Sequence, residues 1–182
     1  MIKDTVIQFV CFATKLEPDQ FISEWDSFAK KIRYKKQEPV LLELAADIKN
    51  KYRYISQHEC PGGDFHFSFM IKSRSESLPE HHVRVVQVGG YKLLPAKKKH
   101  REEDDDVKLL AFLSHSENDI DFYRQLSLFN HLDIYEAYYE SCTYGHILEF
   151  YIAEANAGEL LLQLQQRHGV DAAIYKECAV TA

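Results

Sequence analysis

Residues 107 to 182 alternate strand and helix signals in an order that few folds can satisfy. VKLLAFLSH (107 to 115) is an apolar strand. Ser116-Glu117-Asn118-Asp119 then resembles a capping box with Asp at its last position, and Ile120, Tyr123, Leu126 and Phe129 follow at helical spacing. IYEAYYESCT (134 to 143) and HILEFYIAE (146 to 154) flank Tyr144-Gly145, which reads as a two-residue hairpin turn. Asn156 with Glu159 is a second N-terminal cap signal. Leu160, Leu161, Leu164 and His168 mark one face of the helix it opens, and Gly169 is placed to end it. DAAIYKECAV (171 to 180) is the last strand. The order is β-α-β-β-α-β, a split β-α-β unit with four antiparallel strands and helices on one face.

The first 95 residues begin in the same way. VIQFVCFAT leads to Glu17-Pro18-Asp19, with proline suited to a first helical turn. Phe21, Ile22, Trp25, Phe28, Ala29 and Ile32 form an amphipathic stripe, which assigns Trp25 to core packing. Pro39 followed by Val40, Leu41, Leu44, Ala45 and Ile48 predicts an extra helix in the first crossover. KYRYISQHE and DFHFSFMIK flank Cys60-Pro61-Gly62-Gly63 as a second hairpin. SRSESLPEHH is too short and too proline-broken for a full helix, so the second crossover is shortened. RVVQVGGYKLL is the final strand, with Gly89-Gly90 at a bulge or sharp bend.

Residues 1–95 and 107–182 thus read as two α+β halves in tandem, and AKKKHREEDDD (96–106) reads as a solvated linker too charged to bury. The first half carries 14 basic and 12 acidic groups and the second 4 and 11, within a total of −6. An acidic second half argues against nucleic acid as a partner, because phosphate binding needs a concentrated basic surface. No apolar run reaches the length of about 18 residues that a membrane-spanning helix needs, so no membrane partner is expected. The N-terminus reads as a strand rather than a signal peptide. With no CxxC pair among Cys11, Cys60, Cys142 and Cys178, all four read as reduced thiols in a cytoplasmic compartment.

Two β-α-β-β-α-β units resemble the dimeric α/β barrel superfamily, in which two ferredoxin-like sheets close into one barrel with helices outside. The opening DTVIQFVCFATKLEPDQFISEWDSFAKKI is similar to the first strand and helix of its antibiotic-biosynthesis-monooxygenase group. The resemblance implies a pseudo-dimeric barrel. It does not carry the Asn and Trp catalytic roles of the cofactor-free monooxygenases onto this chain, which has the single tryptophan Trp25.

Two hairpins supply candidate pocket residues. If Pro61-Gly62-Gly63 is the first loop, His58 lies across from His66, with Cβ atoms about 5 Å apart, whereas a four-residue loop puts His58 opposite Phe65. Two imidazoles so placed hold zinc only with a third ligand, and the spacing matches no common zinc pattern, so no metal is assigned. A two-residue turn at Tyr144-Gly145 places Glu140 opposite Glu149 and Tyr138 opposite Tyr151, facing the barrel interior or the pairing surface together with Glu136. Tyr139, Leu148, Phe150 and Ile152 then face the helix-covered core. Facing carboxylates repel unless a proton, a cationic ligand, or Arg53 or Lys51 relieves them. Two functions of different class remain open. One is a small-molecule-binding barrel without a cofactor, extending to cofactor-free oxygenation. The other is a non-enzymatic interaction protein that joins copies into a homo-oligomer.

Overall fold

The computed structural model describes residues 5–32, 40–45, 52–61, 83–95, 106–126 and 131–178. Its strands are β1 (Thr5–Thr14), β2 (Val40–Leu44), β3 (Tyr54–Pro61), β4 (Val83–Leu93), β5 (Asp106–Leu113), β6 (His131–Ala137), β7 (His146–Ala153) and β8 (Val170–Glu177). Helix α1 spans Pro18–Ile32, α2 Ile120–Leu126 and α3 Glu154–Gln165. The strands close into one antiparallel barrel in the order β1-β3-β2-β8-β5-β7-β6-β4. Two four-strand runs compose it, β4-β1-β3-β2 and β8-β5-β7-β6, and each has the spatial order fourth-first-third-second. Two seams join them. Leu42, Glu43 and Leu44 face Glu177, Lys176 and Tyr175, and Tyr91, Lys92 and Leu93 face Ala137, Glu136 and Tyr135.

Because helices cover the outside and side chains fill the inside, several strands are apolar on both faces. In β5, Leu109, Ala111 and Leu113 point outward to Tyr123 of α2 and to Ala157, Leu160 and Leu164 of α3. Leu110 and Phe112 point inward. In β1, Val10 and Phe12 pack outward with Phe21 and Trp25 of α1, while Phe9 and Cys11 line the barrel. The spacing of Phe21 and Trp25 puts them one turn apart on a single helix face, and both are buried.

The extra helix expected over 40–48 is corrected: residues 40–44 are strand β2, paired with β3 and β8. Val40-Leu41-Leu42-Glu43-Leu44 is a short run with Leu41 buried outside the barrel and Leu42 inside it. Periodicity alone does not separate such a two-faced strand from a buried helix. β3 takes its ladder partners from β1 and β2, and the proposed partner strand DFHFSFMIK lies outside the described residues.

Three local signals are also corrected. The cap of α2 is Asp119, whose Oδ1 accepts from the Phe122 amide at 3.2 Å, rather than Ser116. Helix α3 begins at Glu154 without a side-chain cap, so Asn156 lies inside its first turn. The β4 bulge falls at Val86, where the register against β1 skips a residue, rather than at Gly89-Gly90. Gly89 has another reason: a Cβ there would stand 2.6 Å from Cε2 of the buried Tyr91 ring.

Candidate functional site

At the end of the barrel where β1, β2, β5 and β6 begin, the interior changes from apolar to charged. Alternation along β7 turns Ile147 and Glu149 inward, while Leu148 and Phe150 point to the helices. Glu149 is fully buried. Its Oε2 accepts a hydrogen bond from the Tyr135 hydroxyl at 2.9 Å and from Gln57 Nε2 at 3.2 Å. Its Oε1 makes no hydrogen bond but stands 3.4 Å from the Lys108 ammonium. Burial first, and the Glu149 charge second, push the Tyr135 phenol far above its ordinary range, so it remains a donor.

Lys108 reaches outward from this layer. Its Nζ is 3.4 Å from Glu177 Oε2 and 5.3 Å from the Tyr151 ring centroid. The Tyr151 ring packs edge-on to His131 at 5.4 Å, and His131 Nε2 lies 3.0 Å from Asp133 Oδ1. Asp133 is directly opposite Glu149 in the β6–β7 ladder, a like-charge pairing that would destabilise the hairpin unaided. Each carboxylate has its own relief, His131 for Asp133 and Lys108, Tyr135 and Gln57 for Glu149.

The opposite end of the barrel is aromatic. Phe112 packs against Tyr52 and Tyr144 with ring centroids 5.9 and 5.0 Å away, and Tyr175 donates to the Tyr52 carbonyl at 3.0 Å. Between the two ends, Phe9 meets Tyr91 and Tyr135 edge-on at 5.6 and 5.0 Å.

No protein-family model and no curated protein matches this chain. Solved structures do match. A mutant chlorite dismutase from Candidatus Nitrospira defluvii, in complex with cyanide, aligns over 99% of this chain and 93% of its own with TM-score 0.62 and 8% identity. Another mutant of that enzyme aligns over 99% and 93% with TM-score 0.65 and 7% identity. A candidate monooxygenase from Fusobacterium nucleatum subsp. nucleatum aligns over 97% and 94% with TM-score 0.58 and 13% identity. The fold is the dimeric α/β barrel. Identities this low carry the fold and none of the chemistry.

Within the dimeric α/β barrel, the six residues singled out from sequence fall in different places. Glu149 and Tyr151 lie at the charged end. Tyr138 and Glu140 do not: β6 stops at Ala137, and both are exposed in the connection 138–145. The pairing of Glu149 with Glu140 is therefore replaced by Asp133, and that of Tyr151 with Tyr138 by His131. Tyr139, expected under the helices, packs instead against the barrel interior. His58 points outward beneath α1, with Ser56 Oγ at 2.8 Å from its Nε2 and the Trp25 ring at 6.5 Å. Its sheet partner is Gln8, and His66 lies outside the described residues. Relief of the Glu149 charge comes from Lys108; Arg53 stands 3.9 Å from Glu43 instead, and Lys51 is outside the described residues.

Sequence reasoning missed Lys108, Gln57, Asp133, Tyr135 and His131. One signal for Lys108 was present, a charge inside an otherwise apolar strand, VKLLAFL. Among the described residues no group of His, Cys, Asp and Glu has metal-binding geometry, and no helix is long and apolar enough to cross a membrane.

Proposed function

We propose that the barrel binds a small molecule at its charged end, with Glu149 as the fixed acceptor and proton-transfer group. The observation that supports this reading is the fully buried Glu149 carboxylate, held from three sides by Tyr135, Gln57 and Lys108. An ion pair taken out of water returns little or no net stability over apolar residues of similar volume, so stability alone gives weak reason for it. Oε1, without a hydrogen bond, is the atom that would accept a proton from a bound O–H or acidic C–H. Lys108 would stabilise charge left on the ligand. Proton removal is how a cofactor-free oxygenation would begin, and likeness to a candidate monooxygenase is compatible with that finer reading at the level of fold.

A second reading is a non-enzymatic interaction protein. The aromatic filling by Phe9, Tyr91 and Tyr135 supports it, since a packed interior leaves association to the outer surface. Ligand-observed magnetic resonance against a metabolite library separates the two. Saturable binders that lose affinity about tenfold or more in Glu149→Gln support the first reading. Binders indifferent to that change, or none at all, would favour the second.

A further inference from the structure

We propose that helix α1 undocks from the barrel as a unit in mild acid while the strands stay paired, and that protonation of His58 drives the release. The layer beneath α1 differs from the other helix–sheet layer. Four polar or charged side chains are buried among the described residues: Gln8, Ser56, His58 and Glu149. Glu149 is inside the barrel. The other three share the outer face of β1 and β3. Alternation turns Gln8 outward with Val10, and Ser56 and His58 outward with Tyr54; Gln8 is also the ladder partner of His58. Beneath α2 and α3 the buried core residues are aliphatic or aromatic, Leu109, Leu148 and Phe150 among them. Helix α1 therefore seats Phe21 and Trp25 on a surface that gains less from losing water. Docking also buries the Trp25 indole N–H without a hydrogen-bond partner, a penalty that undocking removes. An element held in this way opens at lower cost than the ladders beneath it.

His58 gives the opening its pH dependence. Its Nε2 lies 2.8 Å from the Ser56 hydroxyl, and the Trp25 ring stands 6.5 Å away. A hydroxyl and an indole suit a neutral imidazole but return little to an imidazolium deprived of water. On β1, Val6 and Val10 flank Gln8 on the outward face. Glu43 of β2 accepts from the Tyr54 hydroxyl at 3.0 Å and stands 3.9 Å from Arg53. On α1, Glu24 is exposed and Asp26, next to Trp25 in sequence, is half-buried. Burial prevails over these surroundings and lowers the His58 pKa from 6.5 to about 4. Undocking returns the ring to water and its pKa toward the upper value. Between the two values only the undocked form takes up the proton, so docking weakens about tenfold per pH unit as pH falls through that window. A helix of 15 residues is marginal alone in water, so α1 once released also loses its amide hydrogen bonds.

Native-state amide hydrogen exchange of the full chain, followed from about pH 6.5 to about pH 4.5 and corrected for the intrinsic pH dependence of exchange, tests this. Protection of the α1 amides should fall about tenfold per pH unit, while protection in β5 and β7 holds. His58→Gln should make the protection of α1 independent of pH. Protection that falls equally in α1, β5 and β7 would overturn the proposal, because the whole barrel would then be opening. Flat protection in α1, or a pH dependence that His58→Gln leaves in place, would overturn it as well. The comparison of α1 with β5 and β7 in the unaltered chain decides even where the variant does not fold.

Discussion

The hydroxyls of Tyr52 and Tyr144 stand 3.3 Å apart across the end of the barrel opposite Glu149. Tyr52 enters from the chain before β3 and Tyr144 from the connection before β7, so this contact ties the two four-strand runs outside the ladders of the described residues. Tyr144→Phe should cost about 0.5 to 1.5 kcal/mol, the net worth of one half-buried hydrogen bond. In a Tyr52→Phe background the same change should cost much less. A double-mutant cycle by denaturant unfolding measures the difference, and equal costs in both backgrounds would mean the hydroxyls do not interact.

His58 should make the protein sensitive to mild acid. Burial beneath α1 lowers its pKa from 6.5 to about 4. Above the upper value both folded and unfolded chains hold it neutral. Between the two values only the unfolded chain takes the proton, so stability falls as pH falls through that window. The loss approaches roughly 3 kcal/mol at pH 4. His58→Gln should flatten that acid limb of stability against pH, and an unchanged slope would place the sensitivity elsewhere.

Glu149→Gln should destabilise at neutral pH by about 1 to 3 kcal/mol, because it strips Lys108 of its buried partner. Gln can still accept from Tyr135, which limits the loss. Adding Lys108→Met should return part of the stability, since the remaining charge leaves with its partner. Chemical denaturation of both variants checks this, and a stabilised single variant would show the carboxylate to be unrelieved.

Trp25→Ala should cost about 3 to 5 kcal/mol, as the indole is buried against Phe12, Phe21 and Tyr54. Trp25→Phe should cost less than half as much. The buried indole N–H has no hydrogen-bond partner, so its removal relieves a desolvated donor. Thermal unfolding of the two variants gives the comparison.

The elements whose punctuation is local were legible in the sequence. Pro18 opens α1, the apolar runs of β1 and β5 are strands, and the inward turn of Glu149 against the outward Leu148 and Phe150 follows from alternation alone. Register was not legible, because it is set by contacts distant in sequence. Tyr144-Gly145 resembles a two-residue turn. Yet the Gly145 amide donates to Leu113, the Tyr138 amide donates to Gly90, and the Ala137 amide donates to Gly145, which opens the turn into an eight-residue connection. His115 Nε2 bonded to the Cys142 carbonyl at 2.7 Å fixes that connection from a third strand's end. The partners of Glu149 come from β3, β5 and β6, and only barrel closure brings them together.

The two seams are short. Eight residues pair along β1–β3 and eight along β5–β7, but three along each of β2–β8 and β4–β6. The two edges that one four-strand run offers are the same whether the complementary run arrives from its own chain or from a neighbour. Refolding at high protein concentration is therefore expected to yield some exchanged pairs, which size-exclusion chromatography would detect as dimer. The dimer fraction should rise with the concentration at refolding, and a monomer at every concentration would show that the seams close only within one chain.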